Sequence, residues 1–84
     1  MIDLGEINLE RANLEKIDLT GANLRETNLE KDDLDWAILA GANLVETKLE
    51  KATLIGANHQ GVNLFMANLR ETNLFMANLT GANL

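Results

Sequence analysis

The sequence predicts an all-β solenoid: a chain wound into a four-sided β-helix of about four coils, with four five-residue units per coil. Three observations carry that expectation. Every leucine from Leu4 to Leu84 falls in one register of period five, and every asparagine stands one residue before that register. The residue two before each register position is small or apolar almost throughout, from Ile2 and Ile7 to Ala77 and Ala82. Near-copies of TGANL stand at 20–24, 40–44, 60–64 and 80–84, each with glycine in second place. Self-similarity at a fixed spacing decides the architecture before any local propensity does.

The straight segments follow from the first two observations. Two inward positions separated by one polar residue are the alternation of a strand. Two mostly polar residues then follow each leucine, so the alternation breaks every five residues and the chain must turn. An α-helix fails the same test: a step of five rotates by about 140° at 3.6 residues per turn, which would scatter the leucines around the axis. Short extended segments joined by corners survive.

The corners give the number of sides. Gly21, Gly41, Gly61 and Gly81 stand two residues after a register position, the later central place of a turn, where positive φ favours glycine. They recur every twenty residues, so one column of the structure repeats after four units. Coils stacked at strand spacing rise by roughly 4.8 Å each, which makes a prism about 20 Å long.

The units Ala12–Leu14, Ala22–Leu24, Ala42–Leu44, Ala67–Leu69, Ala77–Leu79 and Ala82–Leu84 all read Ala-Asn-Leu. With them the chain resembles the pentapeptide repeat family over essentially its whole length. The resemblance implies a right-handed quadrilateral β-helix, and the hand comes from the family alone. It also implies a protein of a mostly uncharacterised family. A subset of that family mimics DNA to inhibit or protect type II topoisomerases, in longer chains that usually dimerise through a C-terminal helix. This chain stops at Leu84 in mid-pattern with no such helix. The expectation is a single domain over 1–84, or a segment of a longer repeat array.

Composition narrows the function. The 84 residues contain no cysteine and no proline, which excludes disulfides and thiolate metal sites. The formal charge is −6, and residues 1–35 carry ten acidic groups against Arg11, Lys16, Arg25 and Lys31. Such a chain repels nucleic acid and anionic membrane, so direct binding to either is not expected. No apolar run reaches the ~20 residues of a membrane span, and Met1–Glu10 lacks signal-peptide character, so a cytoplasmic location is the default. One histidine, no tyrosine and no phosphate loop or metal signature argue against an enzyme. No catalytic, cofactor-binding or metal residue is assigned.

Departures from the register are the candidate sites. His59 replaces a leucine, and its expected role is a core histidine bonded to a coil carbonyl or a water, with Ala57 leaving it room. Asp32 takes an inward small-residue place, where it should be hydrogen-bonded, hydrated or swung outward. With Asp33 and Asp35 it could be imagined around calcium, but that ion takes six or more oxygens and DDLD has no loop to supply them. Outward, Glu10, Glu30 and Glu50 form a ladder beside Arg11, Lys31 and Lys51. Arg70 and Glu71 exchange the two signs, each facing an opposite charge one coil before. Glu6, Glu26 and Glu46 make a less compensated acidic ridge with Arg25 as nearest cation. That ridge is the local basis for the alternative function, an acidic DNA mimic. Twenty ångströms of duplex would present about twelve charges at one per ~1.7 Å, twice the net charge here, which weighs against mimicry of a long segment.

The apolar outward residues carry the preferred function. Val45 stands under Phe65 beside Met66, and Ile55 under Phe75 beside Met76, in the column of Trp36 and Gly56. Large apolar side chains can serve merely to cover turns; clustered, they mark an interface. Trp36, Val45, Ile55, Phe65, Met66, Phe75 and Met76 are therefore the candidate protein-binding residues of a non-enzymatic scaffold or interaction module. The last coil also leaves Leu69, Leu74, Leu79 and Leu84 without a coil above them. Association with a protein partner or a second copy through the C-terminal end is expected on that account.

Overall fold

The structure is a computed structural model that describes residues 2–83, with extents of 27 × 24 × 22 Å. The twenty-residue period read from glycine is the period of the backbone pairing. Isolated parallel bridges join each register asparagine position to the one twenty residues on, from Asp3↔Asn23 through Asn28↔Lys48 and Thr53↔Asn73 to Asn63↔Asn83. Each bridged residue lies between two hydrogen-bond ladders. The register residue donates forward, as Leu24 N–H does to Asn43 O at 2.8 Å, and its predecessor donates back, as Asn43 N–H does to Ala22 O at 2.9 Å.

Corners recur every five residues. At each, the N–H of the small inward residue returns to the carbonyl of the preceding register residue, as from Ala22 to Leu19 at 2.9 Å and from Ala42 to Leu39 at 2.9 Å. The second central residue has positive φ and the first does not, which is the type II pattern. Four such corners separate bridge partners. Because a turn consumes four of every five residues, one residue per side remains to bridge both neighbours. The sides are therefore single bridged residues rather than the short strands that alternation alone suggests.

The inward prediction holds through the middle of the tube. Leu24, Leu29, Leu34, Leu39, Leu44, Leu49 and Leu54 have no exposed surface, and Ala22, Ala37, Ala42, Ala52 and Ala57 pack with them. Each fully buried leucine contributes roughly 2 kcal/mol of transfer free energy, so the stacked rows dominate stability. Toward the two ends the same positions open. Ile2 and Ile7, inward by register, remain 46% and 41% exposed because no described coil precedes theirs. Leu69, Leu74 and Leu79 are half-buried, and Leu84 lies outside the described residues.

Candidate interaction surfaces

The outward surface is held rigid by a device the asparagine column supplies. Asn8, Asn13, Asn23, Asn28, Asn43, Asn58, Asn63, Asn68, Asn73 and Asn78 each accept, through Oδ1, the backbone N–H two residues later at 3.0–3.1 Å. Those N–H groups belong to the first central residue of each corner and point away from both ladders. A short side-chain amide is the group that reaches them. Sequence reasoning saw the column and read it only as polar; the exclusive pairing of Asn or Asp with most corners was the available signal.

On this frame the predicted apolar residues divide. Trp36 is 52% exposed, Phe65 51%, Met66 68%, Phe75 67% and Met76 67%. Val45 and Ile55 are half-buried beneath the phenylalanines. The structure places Phe65 with Met66 on one corner and Phe75 with Met76 on the diagonally opposite one, so these are two patches. Trp36 belongs to the second. Its ring lies over Gly56, where an added methyl would enter the ring's van der Waals shell. Ile38, 39% exposed, adds to that side. It was missed because it stands in the asparagine column, where an apolar residue is itself the signal.

The acidic ridge is solvated. Glu6, Glu26 and Glu46 are exposed, and Arg25 pairs with Glu46 at 3.6 Å. Exposed pairs of this kind contribute at most about 1 kcal/mol. Asp3, Gly5, Glu6, Asn23, Arg25 and Glu26 border a shallow cleft at its foot. Of the two expected reversed pairs, Arg70 meets Glu50 at 3.8 Å. Glu71 makes no ion pair with Lys51 among the described residues, since both side chains project from a corner into water.

Of the two inward polar residues, Asp32 is hydrogen-bonded as expected and His59 departs from expectation. Asp32 is buried, and its Oδ1 accepts the Ala12 N–H at 2.8 Å while Oδ2 has no partner. Asp33 Oδ1 is bound to the Asp35 N–H and Asp35 Oδ1 to the Ile55 N–H, each at 3.0 Å, so the three carboxylates serve separate backbone groups. His59 is fully buried, and neither ring nitrogen makes the carbonyl hydrogen bond expected of it. Burial pushes its pKa below the usual value, opposed by the nearby Ala57 carbonyl, whose geometry falls short of a hydrogen bond. The neutral ring fills a leucine's place without satisfying its own nitrogens.

Comparison with known proteins follows the backbone pattern. The family model for pentapeptide repeats matches in eight copies, at residues 2–39, 33–64 and 47–84. The pentapeptide repeat protein Rfr23 from the cyanobacterium Cyanothece 51142 is 37% identical with a TM-score of 0.56, over 96% of this chain and 59% of that one. The pentapeptide repeat protein alr5209 from Nostoc Pcc 7120 is 36% identical with a TM-score of 0.52, over 83% of this chain and 62% of that one. The chain thus spans less than two thirds of either neighbour. No curated protein matches it. The neighbours imply a right-handed β-helix.

Proposed function

The chain belongs to the pentapeptide-repeat family, and we propose that it serves as a rigid protein-interaction module, a four-sided coil of about four turns that docks a protein partner or a second copy through apolar residues on its later coils. Proteins of this family are generally non-enzymatic repeat modules. One observation carries the finer reading. Phe65, Met66, Phe75 and Met76 each leave more than half of their surface in water, on corners tied to the preceding coil through the Phe65 and Phe75 carbonyls and held by Asn63 and Asn73. Binding through such residues orders few backbone degrees of freedom, which is the usual advantage of a pre-organised surface.

Light scattering of the parent and of the Phe65→Asp/Phe75→Asp variant tests this, with partner capture read in parallel. The expected result is association or capture that the variant loses and that changes little with salt. A parent that neither associates nor captures any protein through this surface would overturn it.

A second reading, an acidic mimic directed at a DNA-binding protein, draws on the exposed Glu6, Glu26 and Glu46 and the cleft at their foot. It expects affinity that falls steeply with salt and is lost in the Glu6→Lys/Glu26→Lys/Glu46→Lys variant. A supercoiling assay with a type II topoisomerase decides it: no effect at micromolar protein removes the reading.

A further inference from the structure

Asp32 occupies a position that elsewhere in the tube holds an aliphatic side chain or threonine, and the threonines show what a polar group does there. Thr27, Thr47 and Thr72 each donate their hydroxyl to the carbonyl 23 residues earlier, at Leu4, Leu24 and Leu49, all at 2.7 Å. The same step back from Asp32 leads to Leu9. There the Ala12 N–H is shared by two acceptors, Leu9 O at 3.1 Å and Asp32 Oδ1 at 2.8 Å. Two oxygens thus converge on a single N–H, in a place where the threonine columns supply a second donor. The other carboxyl oxygen, Oδ2, is buried without a partner.

We propose that Asp32 is a proton-dependent latch between the first and second coils: the neutral acid places its proton between its own oxygen and the Leu9 carbonyl, as a threonine would, and ionisation removes that donor and loosens the first coil. An ionised carboxylate faces the Leu9 oxygen as acceptor against acceptor, with an unsatisfied charged oxygen behind it. The neutral acid supplies the missing donor and leaves no charge on the partnerless oxygen.

The surroundings agree with this chemistry. Burial pushes the Asp32 carboxyl up to about 6, against the lowering effect of the Ala12 and Arg11 N–H groups, and the Glu10 carboxylate adds to the rise. The charged groups on the elements packed around it are Glu10 and Arg11 at the first-coil corner, Glu30, Lys31 and Asp33 on its own coil, and Glu50 and Lys51 on the third. All but Asp33, Glu30 and Glu50 are exposed, and among them Glu10 is the one whose charge acts on Asp32. His59, on the third coil, is the other titratable side chain of the interior, and burial favours its neutral form. The sign follows from the raised pKa. The closed coil holds the Asp32 proton more tightly than the opened coil, whose carboxyl has its ordinary value of 3.8. The latch is at full strength below that value and weakens as pH rises to about 6, beyond which it changes no further.

Native-state hydrogen exchange between pH 4 and 7 tests the latch, read as protection factors at Leu9, Arg11 and Leu14, whose N–H groups bond to the second coil at Asn28, Glu30 and Asp33. The Asp32 carboxyl carbon is followed by NMR in the same samples. The expected result is a carboxyl titrating near 6 and protection falling about a hundredfold up to that pH. Asp32→Thr, which restores a hydroxyl, and Asp32→Asn, which cannot ionise, should both abolish the fall. A carboxyl titrating at its ordinary value, or the same fall in either variant, would overturn the proposal.

Discussion

At the scale of single residues, the side-chain oxygen two before a corner N–H does the local work. Asn43 is half-buried and its Oδ1 holds the Val45 N–H at 3.0 Å, so Asn43→Ala leaves that donor to water. The expected cost is about 1 kcal/mol, read as a lower urea midpoint with unchanged slope. At Thr53, which lacks a side-chain amide or carboxylate, a neighbour substitutes: the Ile55 N–H goes to Asp35 Oδ1 in the coil before at 3.0 Å. His59 is the opposite case, a buried polar ring with both nitrogens unmatched. His59→Leu completes the leucine column and should stabilise the protein by roughly 1–3 kcal/mol at neutral pH. Because burial lowers the His59 pKa, the folded chain binds its proton less readily than the unfolded chain. Stability from this residue is therefore full above its ordinary 6.5 and lost as pH falls through the lowered value. Urea midpoints from pH 4 to 8 should drop on acidification in Asp32→Thr, where the opposing carboxyl is gone, and not in Asp32→Thr/His59→Leu. The register made both anomalies visible in the sequence. It could not show whether their polar atoms find partners, since that depends on tenths of an ångström between coils.

The element is the corner, and its cost is backbone strain. Glycine at 21, 41, 61 and 81 was legible as a turn residue, yet it does not distinguish its column. Glu26, Lys31, Trp36, Glu46 and Lys51, among others, adopt the same left-handed conformation with φ between 58° and 61°. The ladders, joined at most corners by an Asn or Asp side-chain bond, over-determine the turn, so ordinary residues are carried into a region that costs them about 1–2 kcal/mol. Replacing the exposed Lys51 by glycine should relieve that strain and raise stability by up to about 1 kcal/mol, net of the added freedom of the unfolded chain. Two glycines then make a contrasting pair. Around Gly41 an added methyl meets nothing within 4 Å, whereas at Gly56 it meets the Trp36 ring. Gly41→Ala should cost only the backbone strain. Gly56→Ala should cost that and also displace the indole, seen as a shift in tryptophan fluorescence that the Gly41 variant lacks.

For the whole molecule, inward and outward residues divide the labour. The leucine, alanine and glycine periods were enough to recover coil length, corner position and the buried set, because each side repeats the same physical problem. They were not enough to describe the surface. Trp36 turning onto Gly56 and Ile38 joining its side depend on side-chain direction, which period alone leaves open, whereas the placement of Phe65 and Phe75 on opposite corners follows from the register. Since Phe65 and Phe75 leave over half their surface in water, Phe65→Asp/Phe75→Asp should alter the urea midpoint little while abolishing association. Every one of these statements depends on residues twenty apart being neighbours. Spin labels on cysteines, introduced into a chain that has none, measure that directly. Labels at Lys48 and Asn68, bridge partners, should show strong dipolar broadening at a backbone separation of about 5 Å. Labels at Asn58 and Asn68, on opposite sides of the tube, should show none. Broadening in the second pair and not the first would contradict the four-sided coil and every surface assigned to it.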